Sequence, residues 1–88
     1  TGSSAISIQQ AYPNPFTHKI SIPVKSNKPE NITVQIFDIT GKLLITETTK
    51  AAPGDNIITV NNLAQLSKGF YFLKITAGDK TVIQKVAK

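Results

Sequence analysis

Cysteine, methionine, tryptophan and arginine are all absent from this 88-residue chain, and histidine occurs once. Without cysteine there are no disulfides, no thiolate zinc sites and no cysteine nucleophile. The same absence does not fix a compartment, because a domain that needs no covalent staple folds in either redox environment. Long apolar runs are missing too. Nothing approaches the about 18 consecutive apolar residues of a membrane-spanning helix, so no direct membrane insertion is expected. Acidic residues are scarce: five Asp and Glu face ten Lys, for a net charge of +5. At this length the chain holds one domain with a single modest core.

The positive charge raises the question of an anionic partner. Nucleic-acid binders cluster their cations on one element and interleave aromatic residues for stacking. Here the lysines are scattered from Lys19 to Lys88, and arginine, the better bidentate reader of phosphate and guanine, is missing. No nucleic-acid partner is expected. Catalysis is equally short of material. His18 is the only histidine and has no carboxylate near it in sequence to orient it as a base. Asp38, Asp55 and Asp79 each fall at a turn, where Asp bonds its own backbone. Asp55, Asn56, Asn61 and Asn62 lack the alternating acidic pattern of a calcium loop and read as turn formers. No glycine-rich phosphate loop occurs. The expectation is a non-enzyme with no catalytic, cofactor or metal residues.

What the chain does have is a period of two. Ile6 and Ile8, then Ile20, Ile22 and Val24, then Ile32, Val34 and Ile36, then Tyr71, Leu73 and Ile75 each recur at alternate positions. That pattern, in β-branched and aromatic residues, predicts half-buried strands. Pro, Gly and Asn punctuate the runs and divide residues 5–88 into seven short strands: roughly 5–10, 18–26, 31–38, 42–49, 55–61, 70–77 and 80–87. Leu63 and Leu66, three apart, suggest one short helical turn over 61–66. The fold class is an all-β, immunoglobulin-like β-sandwich of antiparallel strands. Residues 1–4 read as a linker end or a cloning scar, and the whole reads as a piece of a longer protein.

The last hairpin can be registered from sequence. Gly78-Asp79 forms a two-residue loop of the primed kind, with Gly supplying the positive φ. Ala77 then faces Lys80, and the pairs Ile75–Val82, Leu73–Gln84 and Tyr71–Val86 make a core face. The opposite face pairs Lys74 with Ile83, Phe72 with Lys85 and Phe70 with Ala87. Phe70, Phe72, Ile83 and Lys85 make it more apolar than a solvated face requires, and they are candidates for contacting a partner. Because strands at sheet edges pair readily, self-association through edge strands is also expected.

Four features in order carry a family likeness: Tyr12-Pro13-Asn14-Pro15-Phe16, Phe37-Asp38-Ile39-Thr40-Gly41-Lys42, the stretch from Asn62 through Leu63 and Leu66 to Gly69-Phe70-Tyr71, and the basic terminal strand Gln84-Lys85-Val86-Ala87-Lys88. Together, over residues 6 to 88, they resemble the C-terminal sorting domain of type IX secretion cargo proteins of the Bacteroidetes, in its type A form. The resemblance implies a secretion signal that directs an N-terminally fused cargo across the outer membrane. It implies an outer-membrane translocon with its shuttle and sortase-like peptidase components as partners. It further implies passage through the periplasm to the cell surface or the exterior, and removal of the domain by cleavage near or before residues 1–5. Recognition would map onto Pro13, Asn14 and Pro15, onto Gly69 and Tyr71, and onto Lys85, Val86 and Lys88. From the residues alone, Tyr71 reads as core, the two prolines as turn shapers and Gly69 as a backbone requirement. The alternative function is an accessory immunoglobulin-like module that binds carbohydrate or protein as an adhesin, although sugar-stacking sites usually rely on tryptophan.

Overall fold

Alternating Ile and Val commit the chain to strands, and the turns between them decide which strands meet. The computed structural model describes residues 6–78 and 80–88. Its seven strands are β1 (Ser7–Ile8), β2 (Ile20–Ser26), β3 (Glu30–Asp38), β4 (Leu43–Ala51), β5 (Gly54–Val60), β6 (Phe70–Ala77) and β7 (Lys80–Ala87). They form two antiparallel sheets, in the orders β1-β2-β5 and β4-β3-β6-β7. The architecture is an immunoglobulin-like β-sandwich, and no helix occurs among the described residues. Ile20, Ile22 and Val24 from one sheet meet Ile32, Val34, Ile36, Leu73 and Ile75 from the other, all essentially dry. Phe16 and Leu63, both outside the strands, close the core at one end.

The last hairpin has the expected register throughout, from Ala77 opposite Lys80 to Phe70 opposite Ala87. Gly78 takes φ +61°, so the backbone favours glycine there, while the Glu30 carboxylate, 3.0 Å from where a Cβ would stand, is the end of a flexible side chain that can shift. Its neighbour Asp79 lies outside the described residues.

Four expectations are corrected. The first strand, expected over 5–10 with residue 5 outside the described residues, is only Ser7–Ile8. Gln9 still bonds the Pro23 carbonyl at 2.9 Å, but Ala11 turns its N–H to the Gln84 side chain, 2.8 Å away, and regular pairing with β2 stops. The fourth strand extends beyond 49 to Ala51, since Lys50 and Ala51 pair with Asn31 and Glu30. Residues 61–66 form a turn rather than a helix. One bond, Leu66 N–H to the Leu63 carbonyl at 3.1 Å, defines it, and Asn62 at φ +65° breaks any helical run-in. Val82 is half-buried rather than fully in the core, because β7 is an edge strand with no neighbour on its far side.

Polar groups that enter the interior are satisfied. Gln84 is the largest of them: its carbonyl accepts from Ala11 and its amide donates to the Gln9 carbonyl at 2.8 Å, joining β7 to the first segment. At the β3–β4 turn, the Asp38 carboxylate accepts from the Thr40 hydroxyl and from the Thr40 and Lys42 N–H groups. As expected of a turn aspartate, these bonds favour the charged form. The Thr40 hydroxyl contributes most, and the carboxyl is held below its ordinary value of 3.8.

Two outcomes follow. Gln84→Leu keeps the volume but strands the buried Ala11 N–H, and should lower stability by about 1 to 3 kcal/mol in urea unfolding. Asp38 has a depressed folded pKa, so its contribution is present above 3.8 and lost as pH falls through the folded value. An NMR titration should place its midpoint below 3.8, and Thr40→Val should move that midpoint upward.

Candidate partner-recognition surface

The candidate residues come from three distant stretches, and the inner face of β7 draws them together. Lys80 Nζ donates to the Ile6 carbonyl at 3.0 Å, and Gln84 spans Gln9 and Ala11 as above. At the end of the strand, the Ala87 N–H donates to Asn14 Oδ1 at 3.0 Å, and its carbonyl accepts from the Phe16 N–H at 2.8 Å. Residues 6–16 therefore run parallel to β7, laced to it by side chains and, at Ala87, by main chain. Tyr12–Pro13 and Asn14–Pro15 are both cis, and Pro13, Asn14 and Pro15 are exposed.

The second stretch meets the same end. Gly69 and Lys88 exchange main-chain bonds of 2.8 and 3.2 Å, which extends the β6–β7 ladder by one pair. Gly69 has φ +152° and open space where a Cβ would stand, so its requirement is conformational rather than steric. Tyr71 is buried, as the sequence suggested. Its ring packs edge-on against Phe16, centroids 5.9 Å apart, and its hydroxyl donates to the Ser67 carbonyl. Val86, opposite it, is buried as well.

Lys88 is not a loose cationic tail. Its ammonium donates to the carbonyls of Leu63, Ala64 and Leu66 at 2.9, 2.8 and 2.6 Å, filling the turn that closes the core. Lys85 behaves differently. It is exposed, and its ammonium sits 4.6 Å above the Phe70 ring in a cation–π contact on the outer face of the four-stranded sheet. Phe70 is 52% exposed and Ile83 64%, while Phe72 is half-buried. Register adds Phe37, opposite Phe72, and the exposed Leu43, opposite Phe37, to this outer face.

Sequence reasoning missed the contributions of Phe37, Leu43, Gln84 and the Ala87 main chain. A glutamine on a core parity was a signal for Gln84. Nothing local could reveal Phe37, since the β3–β6 register is set across some 30 intervening residues. No group of three or more His, Cys, Asp or Glu residues suited to a metal occurs among the described residues. His18 is exposed beside Thr17, and Asn56 bonds the Ala52 and Gly54 main chain as a turn former.

Fold and terminal contacts define an immunoglobulin-like sandwich module whose last strand is locked at its end by a Pro-Asn-Pro segment. The family model described as the secretion system C-terminal sorting domain matches residues 10–88, and the chain belongs to that family. Its role is that of a type IX secretion C-terminal sorting signal, which implies an exported protein that crosses the outer membrane and interacts with the type IX machinery. Signal domains of this kind are typically non-catalytic. No curated protein matches the sequence. The chain is similar in structure to a crystal structure of dimeric latent PorU from Porphyromonas gingivalis, with a TM-score of 0.73 and 19% identity. That similarity covers 100% of this chain and 9% of that one, and at this identity it speaks for the fold alone.

Lys88→Met keeps the stem and removes the ammonium from three carbonyls. It should cost about 1 to 2 kcal/mol in urea unfolding and speed amide exchange at Leu66, whereas Lys85→Ala should cost less than about 0.5 kcal/mol.

Proposed function

We propose that the terminal end of the sandwich is the part of this domain that the secretion machinery reads. The observation that supports this reading is the convergence of Asn14, Phe16 and Gly69 on Ala87 and Lys88. A receptor meeting that end would touch Pro13, Asn14 and Pro15 on one side, and Phe70, Ile83 and Lys85 on the outer face. Gly69, Tyr71, Phe72, Val86 and Lys88 act by holding those groups in place. In this reading the surface exists only when residues 6–16 and β7 are folded against each other.

The partners proposed are an outer-membrane translocon with its shuttle and a sortase-like peptidase, and an N-terminal cargo domain. Cleavage falls near or before residues 1–5, which lie outside the described residues. The route runs through the periplasm to the cell surface or the exterior.

Fusing residues 5–88 to a periplasmic reporter in a type IX-competent host tests the reading. The reporter should reach the surface or medium; a folded fusion retained in the periplasm would sink it. Lys88 and Asn14 both have structural duties, so Lys85→Ala is the cleaner probe. It should reduce export at an unchanged folded fraction, checked by melting temperature.

A further inference from the structure

Two sheet edges in this domain are open, and they match each other. On β7, Gly69 and Lys88 form a hydrogen-bonded pair, so by alternation the residues facing β6 are Val82, Gln84 and Val86. The N–H and C=O groups of Thr81, Ile83, Lys85 and Ala87 then point away from the sheet. Asn14 and Phe16 occupy those of Ala87. No hydrogen bond among the described residues reaches the outward groups of Thr81, Ile83 or Lys85.

The edge at β5 has the same character. Ser21 exchanges both its main-chain bonds with Tyr12, and the Pro23 carbonyl accepts from Gln9, so these β2 residues face away from β5. Their cross-strand neighbours Thr59 and Ile57, and Asp55 beside Lys25, therefore direct their main-chain groups outward. All three side chains are exposed, and none of these outward groups has a partner among the described residues.

Both edges lack the features that usually protect a strand: no proline and no bulge interrupts Thr81–Lys85 or Asp55–Thr59. Each instead carries an isoleucine at its centre, Ile83 at 64% and Ile57 at 62% exposure. Lysine commonly guards an edge, but the Lys85 ammonium is folded over the Phe70 ring.

We infer that β7 of one copy pairs antiparallel with β5 of the next, in the register Lys85–Asp55, Ile83–Ile57 and Thr81–Thr59. Only this register sets the acid opposite the lysine and the two isoleucines opposite each other. A shift of two residues places Ile83 against Asp55 or Lys85 against Ile57. The pairing also ends where both strands end. The next pair is Ala87, whose groups are already occupied, against Pro53, which has no N–H. The three-stranded sheet of one copy thereby continues the four-stranded sheet of its neighbour. Because the two edges differ, the contact is heterologous and propagates head to tail. The net charge of +5 on each copy opposes it, so association is weak in dilute solution and strengthens when moderate salt screens the long-range repulsion. This inference rests on edge geometry and not on the sorting reading, and neither depends on the other.

A charge-swap test decides it on the full 88-residue chain. Sedimentation and small-angle scattering across concentration should show association of the unaltered chain, with amides of Ile83 and Ile57 protected from exchange as it forms. Lys85→Asp alone and Asp55→Lys alone should each weaken association at least tenfold. An equimolar mixture of the two variants should recover it, since each open edge then meets an opposite charge. Ile83→Pro removes an N–H that β6 does not use, and should abolish association; if it unfolds, Ile57→Lys serves in its place. A chain that stays single at millimolar concentration, equal association of all variants, or a mixture no stronger than its components would overturn the proposal. So would protection confined to β4, or a β7 edge protected only by a foreign acidic peptide.

Discussion

The lacing of β7 to residues 6–16 is the constraint on which the rest of this domain depends. A seven-strand sandwich of this size has little core to spare, and its last strand lies at an edge with a neighbour on one side only. The missing support comes from side chains. Lys80, Gln84 and Lys88 occupy alternate inner positions of β7, and each spends its polar end on main chain from another part of the molecule. Asn14 and Phe16 then take up the free main-chain groups of Ala87. With these bonds made, Phe16 and Leu63 plug the end of the core and Tyr71 has a ring to pack against.

This arrangement changes what the family's motif residues mean physically. The Pro-Asn-Pro segment is at once an exposed surface and the seal on the terminal strand. Gly69 supplies a backbone conformation, and Tyr71 and Val86 are interior. Lysine at the last position is a clamp on a turn, while lysine three residues earlier is a solvent-facing charge held over an aromatic ring. Surface and scaffold are therefore inseparable at this end: removing a residue that a receptor never touches still alters the shape it would meet.

Much of the fold was legible because its signals are local. Period-two alternation marked β1, β2, β3 and β6, turn residues delimited the others, and Gly78 with its neighbour fixed the β6–β7 register to the residue. The candidate surface was legible in part. Phe70, Phe72, Ile83 and Lys85 share a parity on a hairpin with a known turn, so their common face followed directly. The motif likeness brought in Pro13, Asn14 and Gly69 without showing what they touch. Residues 61–66 misled as a helical turn because Leu63 and Leu66 have helical spacing, whereas their spacing serves only to drop two side chains onto the core.

By itself, then, the sequence determined the all-β class, the strand positions, the last hairpin and the scarcity of groups for chemistry. Each of these is set by residues within a few positions of one another. Only the tertiary structure decided which strands share a sheet, which edges stay open, and that the Asn14 side chain meets a main chain 73 residues away. Hydrogen-bond partners that far apart leave no periodicity and no local signature. They are selected by the closure of two sheets around one core, which no segment of the chain specifies alone.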